Sequence, residues 1–152
     1  MEKTALPSNI GQDPLSALPG YLLRRAANTM MAELQSRLLK IGLRISDASV
    51  LLLIAENRQL TSSEIGKILD IQRANMVPLL ARLEAANLIN RQPIDRKSQA
   101  IVLTSAGLKV LAQVKELTAK FEADLVDRIP AEHRDHFIPA LRALIDWPDR
   151  PR

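Results

Sequence analysis

The sequence predicts a mainly α-helical fold that is interrupted by one two-stranded β-hairpin. Apolar residues recur at spacings of three and four along most of the chain, which is the period of amphipathic helices. The pattern changes to a period of two after Asn87 and resumes at Ala100–Leu103, which is typical of paired strands. A chain of 152 residues with 47% hydrophobic residues is long enough to bury one core.

The composition excludes several classes of mechanism. The sequence has no cysteine, so it has no disulfide, no cysteine-ligated zinc site and no thiol switch. Lys and Arg number 21 against 17 Asp and Glu, and the resulting net charge of +4 fits a polyanionic partner without requiring one. The strongest apolar run, Val50 to Ala55, is too short to span a bilayer, and acidic Glu2 and Asp13 do not fit a signal segment. We expect a cytoplasmic protein without a membrane anchor or a cofactor.

The first two helices follow a short lead-in. Residues 1–13 lack an apolar period and predict a flexible segment, after which Pro19-Gly20 marks a helix that runs from Tyr21 to near Gly42. Leu23, Ala27, Met30, Leu34 and Leu38 recur at spacings of three and four and form one face of this amphipathic helix. Ser46 is expected to cap the second helix, which is apolar nearly all round from Val50 to Ile54 and should therefore lie centrally. The segment Asn57–Gln59 closes it.

The next two helices are joined tightly enough to predict a helix-turn-helix unit. Thr61-Ser62-Ser63-Glu64 forms a capping box, in which Thr61 accepts from the backbone of Glu64 and Glu64 reaches back. Ile65, Ile68 and Leu69 are expected to face inward. A connection around Asp70–Gln72 leads to a helix from about Arg73 to Ala86. Its predicted buried stripe comprises Met76, Leu79, Leu80 and Leu83.

The opposite face of that helix carries unusually small side chains. At about 100° per residue, the outward positions are Ala74, Asn75, Pro78, Ala81, Arg82 and Ala85. Small side chains let a helix enter a DNA major groove, where an alanine or Val77 can touch thymine methyls and Asn75 can pair with a base edge. Alternatively, these alanines only favour the helix or pack on another part of the protein. Pro78 removes the hydrogen bond to the Ala74 carbonyl, so we expect a bend or a loosened first turn.

The predicted hairpin has a basic tip. Asp95-Arg96-Lys97-Ser98 forms this tip, and Pro93 stands just before it, where an edge strand tolerates a missing donor. Arg96 is expected to enter the negative minor groove while Asp95 holds its side chain. Taken alone, the same pattern also describes an ordinary solvated hairpin.

The segment QLTSSEIGKILDIQRANMVPLLARLEAANLINRQPIDRKSQAIVLTSAG resembles the winged helix-turn-helix core of the MarR family of bacterial transcription regulators. The resemblance implies that Arg73 and Asn75 face bases, that Thr61 to Ser63 meet phosphate and that Arg96 is the minor-groove residue. The predicted DNA-binding residues are Thr61, Ser62, Ser63, Arg73, Ala74, Asn75, Val77, Pro78, Arg82, Arg96 and Lys97. Pro78, where relatives often carry a polar or basic residue, and Asn87, where Gly is common, depart from the family pattern.

The flanking helices predict a homodimer. Ser105 to Arg128 form a helix on the order of 36 Å long, and its apolar stripe comprises Val110, Val114, Leu117, Phe121 and Leu125. After Pro130, a further apolar set comprises Phe137, Leu141, Leu144 and Ile145. A second copy is the simplest partner that buries these faces, and it would place two recognition helices about 34–36 Å apart. Residues 14–45 and 105–147 are therefore predicted to form the dimerisation region, and residues 46–104 the DNA-binding core.

An effector site is predicted only from the resemblance. The segment PGYLLRRA is similar to members of the family that respond to aromatic carboxylates, which assigns Arg24 to the carboxylate with Tyr21 and Asn28 as neighbours. The expected ligand is a small aromatic acid or its acyl thioester, which releases a repressor from a pseudo-palindromic operator. The alternative interpretation is that Arg24 and Arg25 are charges on the surface or at the rim of the dimer interface.

Other chemistry finds little support in the sequence. His133 and His136 have a spacing that could hold a metal, but no third ligand converges on them, so we interpret them as a surface pair. There is no Gly-rich phosphate loop, no cysteine nucleophile and no Ser/His/Asp arrangement, so we predict that the chain is not an enzyme. The alternative function is a winged-helix protein-interaction module without specific DNA binding.

Overall fold

A computed structural model describes residues 13–147. Six α-helices and one β-hairpin follow one another along this part of the chain, and a short 3-10 helix precedes the last α-helix. In chain order they are α1 (Pro19–Leu39), α2 (Ile45–Glu56), α3 (Ser62–Ile68), α4 (Arg73–Ala85), β1 (Ile89–Pro93), β2 (Gln99–Leu103), α5 (Ser105–Asp127), the 3-10 helix (Ala131–His133) and α6 (Arg134–Ile145). This architecture confirms the predicted winged helix-turn-helix with flanking helices. The predicted lead-in, residues 1–13, lies outside the described residues except for Asp13. Among residues 13–147, no helix combines the length and the hydropathy that crossing a membrane requires.

α2 lies at the centre of the hydrophobic core, as its all-round apolar sequence predicts. Val50 and Leu51 are completely buried, and Ile54 is nearly so. The other core residues come from every α-helix except α6, from the hairpin and from the connecting segments: Leu38, Leu43, Ala48, Ile65, Met76, Leu79, Leu80, Leu83, Leu88, Ile89, Ile101, Leu111 and Val114. The core is therefore continuous from the helix-turn-helix to the C-terminal end of α1 and the N-terminal half of α5.

The start of α2 differs from the prediction. Ser46 does not cap this helix, because α2 already begins at Ile45 and the preceding residue is Arg44. The carboxylate of Asp47 accepts a hydrogen bond from the Arg44 backbone N–H at 2.8 Å. The side-chain amide of Gln35 on α1 holds the neighbouring backbone, since its oxygen accepts from the Ile45 N–H and its nitrogen donates to the Leu43 carbonyl, both at 3.2 Å. Capping therefore comes from Asp47, inside the helix.

α3 begins as predicted but buries a narrower face. Thr61 Oγ1 accepts from the Glu64 N–H at 3.3 Å, and Glu64 Oε2 accepts from the Thr61 N–H at 2.8 Å, which confirms the capping box. Ile65 and Gly66 are buried, whereas Ile68 is 56% exposed, so its predicted inward position is wrong. Because the buried face is centred between residues 65 and 66, a rotation of 100° per residue places Ile68 about 110° from that centre.

The hairpin is fixed to the helix-turn-helix at its base. β1 pairs with β2 in antiparallel register, with Ile89 opposite Leu103 and Pro93 opposite Gln99. The N–H of Ile101 also donates to the carbonyl of Leu60, 2.8 Å away, immediately before the capping box of α3. The start of α3 and the hairpin are thereby held side by side.

α5 and α6 carry apolar surface beyond the core. The predicted stripe of α5 is confirmed: Val114 and Phe121 are buried, and the other three members are half-buried. No residue of α6 is buried. Of its predicted apolar set, Phe137 and Leu141 are half-buried, while Leu144 and Ile145 are exposed. The end of the helical region therefore leaves apolar side chains uncovered in a single chain.

Candidate nucleic-acid interface

The turn between α3 and α4 brings the two helices into close contact. The Ile71 N–H donates to the Gly66 carbonyl at 2.8 Å, and Asp70 adopts a left-handed backbone with φ of 53°. A Cβ at position 66 would lie 3.1 Å from the Ile71 oxygen and 3.2 Å from Met76 Cγ. Gly66 therefore permits the tight approach that forms the helix-turn-helix.

α4 presents the predicted small face to solvent. Its buried stripe of Met76, Leu79, Leu80 and Leu83 is confirmed. Of the opposite positions, Ala74, Asn75, Val77, Pro78, Ala81 and Ala85 are exposed. The helix is continuous through Pro78, which is its sixth residue. The α4 surface can thus approach a nucleic-acid groove without a large side chain in the way.

A groove of about 920 Å³, here called the HTH groove, runs along α3 and α4. Its lining residues are Ser62, Ser63, Gly66, Lys67, Asp70, Ile71, Gln72, Arg73, Met76, Val77, Leu80 and Arg91. Three cationic side chains and one acidic side chain belong to this lining. The balance of charge suits an anionic ligand such as the DNA backbone.

A second groove of about 610 Å³, the wing groove, lies between the start of α3 and the hairpin tip. It is lined by Thr61, Ser62, Ser63, Arg91, Pro93, Asp95, Arg96, Lys97, Ser98 and Gln99. Ser62, Ser63 and Arg91 belong to both grooves, so the grooves adjoin. The predicted phosphate residues of α3 and the predicted minor-groove residue Arg96 are therefore parts of one continuous surface.

The hairpin tip is ordered by Asp95 in a way that the sequence did not reveal. Asp95 Oδ1 accepts from the backbone N–H groups of Lys97 and Ser98, both at 2.8 Å. Hydrogen bonds from the Ser98 side chain and from these two N–H groups hold the pKa of Asp95 below its ordinary value. Asp95 forms no ion pair with Arg96 among the described residues, which corrects the expectation that it holds the Arg96 side chain. It shapes the backbone of the tip instead.

The hydroxyl of Thr61 is occupied within the protein. In addition to accepting from the Glu64 N–H, Thr61 Oγ1 donates to Glu64 Oε2 at 2.9 Å. Hydrogen bonds from the Thr61 backbone and side chain lower the pKa of Glu64. Ser62 and Ser63 follow at the first helical positions, where backbone N–H groups have no partner within the helix. Of the three predicted phosphate residues, these two are the more accessible to a ligand.

Arg82 is positioned differently from the prediction. Its Nη2 donates to Asp47 Oδ1 at 2.6 Å, and only 38% of its side chain is exposed. It lines neither groove. Arg82 thus points toward α2, because the buried carboxylate of Asp47 requires a cation.

Lys67, Gln72 and Arg91 line the grooves but are not among the predicted DNA-binding residues. Arg91 is exposed on β1, and its Nε donates to Glu84 Oε1 of α4 at 2.6 Å. The period of two places Arg91 on the same face as the buried Ile89, so it does not predict this exposure. Lys67 and Gln72 enter the groove through the packing of α3 against α4, which the periodicity of either helix alone does not specify.

A third groove of about 850 Å³ lies between α1 and α5, here called the α1–α5 groove. Its lining residues are Leu22, Arg25, Ala26, Thr29, Met30, Ala32, Glu33, Arg37, Phe121, Asp124, Leu125 and Arg128. The predicted effector residues Tyr21, Arg24 and Asn28 are absent from this lining. The Arg24 guanidinium carbon lies 5.2 Å from the centre of the Tyr21 ring. Arg25, one position further along the helix, lines the groove together with Arg37 and Arg128.

Arg37 closes one part of the α1–α5 groove. It contacts Glu33 at 2.8 Å and Asp124 at 2.7 Å, and its guanidinium lies 5.4 Å from the Phe121 ring centre. Hydrogen bonds to Glu33 and Asp124 raise the pKa of Arg37. The Arg37–Asp124 pair connects α1 to α5. Arg25 and Arg128, which also line the groove, form no ion pair among residues 13–147.

The two histidines belong to different elements. His133 ends the 3-10 helix and His136 lies in α6, so they do not share one helix. Within residues 13–147, no group of three or more His, Cys, Asp or Glu side chains could hold a metal ion.

Comparisons with known proteins identify the family of this fold. The MarR family model matches residues 43–98. The structure of the transcriptional repressor CouR bound to a 23-mer DNA duplex is 32% identical, with a TM-score of 0.82, over 91% of this chain and 99% of that chain. The chain belongs to the MarR family. This assignment confirms the resemblance drawn from the sequence, and it identifies a regulator rather than an enzyme.

Two further relatives extend this comparison. CouR bound to p-coumaroyl-CoA is 29% identical, with a TM-score of 0.76, over 93% of this MarR-family chain and 99% of that chain. A putative transcriptional regulatory protein for the hcr operon of Thauera aromatica is 28% identical over 97 residues, which are 62% of this chain and 58% of that protein. The match thus spans little more than half the length of this curated relative.

Proposed function

We propose that this MarR-family protein is a homodimeric, sequence-specific DNA-binding transcriptional repressor. The observation that carries this proposal is the adjoining of the HTH groove and the wing groove, which share Ser62, Ser63 and Arg91. A recognition helix with a small exposed face and a cationic hairpin tip border this continuous surface. The DNA complex of CouR supports the same mode of binding.

Each part of this surface has a distinct role in the proposal. Asn75 at the start of α4 contacts a base edge, and Arg73 contacts a base or the adjacent phosphate. Ser62 and Ser63 contact the backbone. Arg96 enters the minor groove at the side, and Lys97 adds charge there. Ala74, Val77 and Pro78 make the apolar contacts of the helix with the major groove.

The test is a salt titration of binding to duplexes from the region upstream of the gene. Specific binding predicts a steep fall in affinity as salt increases. Asn75→Ala should reduce the preference for the specific duplex by about 1–3 kcal/mol and change the dependence of affinity on salt concentration little. Arg96→Ala should lower both the affinity and the steepness of that salt dependence. Lys120→Ala, which removes an exposed cation of α5, serves as the matched control and should bind as the wild type does.

A different result would identify the alternative function. A winged-helix module that binds only other proteins predicts no duplex binding at low salt and no effect of Asn75→Ala or Arg96→Ala. Absence of binding to every upstream duplex at low salt would contradict the repressor proposal.

The homodimer belongs to the proposal because α1 and α6 leave apolar side chains uncovered. The exposed large apolar residues of these two helices are Leu22, Leu23, Met31, Leu39, Ile138, Leu144 and Ile145. Burial of this set by a second copy would stabilise both chains. Light scattering should give the mass of a dimer, and Ile145→Asp should shift it toward the monomer. Ile68→Asp, at an exposed isoleucine of α3, is the control that should leave the mass unchanged.

The predicted division into a dimerisation region, residues 14–45 with 105–147, and a DNA-binding core, residues 46–104, is part of the same proposal.

The effector is proposed to be an aromatic carboxylate or its acyl thioester, bound at the α1–α5 groove. The apolar lining suits an aromatic ring, and Arg25 and Arg128 suit an anionic group. p-Coumaroyl-CoA, the ligand of CouR, is a suitable probe. Tyr21, Arg24 and Asn28 remain predicted neighbours of the ligand. Loss of ligand-induced DNA release in Arg25→Ala, with release intact in Arg24→Ala, would assign the anion to the groove. The opposite result would support the assignment made from the sequence.

A further inference from the structure

The contact between α2 and α4 contains a buried charge. Asp47 is the one buried polar or charged residue among residues 13–147, and 4% of its side chain is exposed. A carboxylate removed from water requires both a cation and hydrogen bonds. Arg82 supplies the cation at 2.6 Å to Oδ1, and the Arg44 N–H supplies a hydrogen bond at 2.8 Å to Oδ2. Both carboxylate oxygens are therefore held in place.

The fixed carboxylate gives α4 a directional contact. The four apolar side chains of the stripe determine which face of α4 is buried, but apolar contacts are not directional. A hydrogen-bonded ion pair has a narrow range of distances and angles. α4 is continuous through Pro78, so the pair at Arg82 restrains the same helix that carries Asn75.

The same pair removes Arg82 from the set of DNA contacts. Its Nη2 is engaged with Asp47, and its Nε is buried without a hydrogen-bond partner. By contrast, Arg73, Arg91 and Arg96 line the two grooves. Arg82 lies about two turns after Asn75 on the same face of α4, and its pair with Asp47 directs the guanidinium toward α2 rather than into either groove.

We propose that Arg82 is a positioning residue, which sets the rotation of α4 against α2 through Asp47 and so aligns the exposed face of α4 with the bases. This inference rests on the proposed DNA-binding function. It assigns Arg82 and Asp47 to sequence-specific recognition without contact between either residue and DNA.

The experiment compares two kinds of loss on the same duplexes. Asp47→Asn and Arg82→Gln should each weaken binding to the specific upstream duplex by about tenfold. Binding to a scrambled duplex and the slope of log K against log salt should stay as in the wild type. The double variant should be no weaker than either single variant, because both remove one interaction. Arg96→Gln is the contact control, and its slope should fall by about 0.9 per lost phosphate contact.

Other outcomes overturn the proposal in distinguishable ways. If Arg82→Gln lowers the slope while Asp47→Asn keeps full affinity, Arg82 is a direct phosphate contact. If both variants keep wild-type affinity, the pair has no role in recognition. If the wild type itself binds no duplex at low salt, the DNA-binding function fails, and this inference fails with it.

A second pair of variants tests the proposal if one of the first pair does not fold. Circular dichroism identifies any variant that does not fold, and Arg82→Lys with Asp47→Glu then replaces it in the same titration. Arg82→Lys keeps the charge but not the fork geometry, so it should recover part of the specific affinity. Specific affinity no higher in Arg82→Lys than in Arg82→Gln, with the fold intact, would contradict a positioning role for the ion pair.

Discussion

The hydroxyl of Thr104 donates a hydrogen bond to the carbonyl oxygen of Asn87 at 2.6 Å and accepts one from the Gly107 N–H at 2.9 Å. One side chain thus caps α5 and fastens it to the turn that follows the recognition helix. The backbone N–H of Thr104 also donates to Leu88, 3.1 Å away. The helix that carries much of the proposed dimer interface is therefore joined directly to the DNA-binding unit.

Replacing Thr104 tests this junction. Thr104→Ala should lower the free energy of unfolding by about 1–2 kcal/mol, since it removes both the cap and the bond to Asn87. Thr104→Ser retains the hydroxyl and should lose much less. Chemical denaturation of the two variants measures the difference, and equal stabilities would show that the hydroxyl does not contribute to the free energy of unfolding.

Gly107 should tolerate no side chain. A Cβ at this position would overlap the Leu88 carbonyl and lie 3.2 Å from Leu103 Cδ2. Gly107→Ala should therefore reduce the free energy of unfolding by about 3 kcal/mol, at the upper end of overpacking effects. Gly20→Ala is the matched control, because nothing lies within 4 Å of its Cβ and the helix should gain about 0.5–1 kcal/mol. Thermal denaturation that ranked these variants in the reverse order would contradict this packing.

Asn87 occupies a left-handed backbone conformation, with φ of 57°. Family members commonly carry Gly at this point, and Asn is one of the few residues that tolerates the same region. Asn87→Gly should leave stability within about 0.5 kcal/mol of the wild type, whereas Asn87→Val should cost about 1–2 kcal/mol. The measurement is the denaturant midpoint. A valine variant as stable as the glycine variant would mean that φ at this position readily changes.

The order of the hairpin tip should depend on pH only under acidic conditions. Because the pKa of Asp95 is lowered by Ser98 and the tip N–H groups, its stabilising effect is present above the ordinary carboxyl pKa. That effect is lost as pH falls through the lowered value. NMR signals of the Lys97 and Ser98 amides should therefore be constant from neutral pH down to about pH 4 and change below it. Ser98→Ala should shift that change to higher pH. A change near neutral pH would exclude this role for Asp95.

The local elements of the fold could be predicted because their signals lie close together in the sequence. The capping box of Thr61 and Glu64 needs four consecutive residues, and the stripe of α4 needs one helical period. The errors arose where burial depends on a neighbouring element. Ile68 has the spacing of an inward residue, but α4 and the hairpin cover only one side of α3.

The candidate site divides in the same way. Arg96 and Asn75 could be assigned from the hairpin and the helix period because exposure of a tip or a helix face is a local property. Arg82 has the same spacing as an outward residue, yet the structure pairs it with a carboxylate 35 positions earlier in the chain. Lys67, Gln72 and Arg91 enter the grooves only through the packing of α3, α4 and β1.

Periodicity and capping act over short distances, so the helix-turn-helix, the hairpin, their approximate boundaries and the family could all be predicted from the sequence. Tertiary packing sets which arginines are available to a ligand. The sequence alone does not specify the direction in which a charged side chain points. Its direction depends on whether a distant carboxylate such as Asp47 is buried within reach, because a buried charge must be paired.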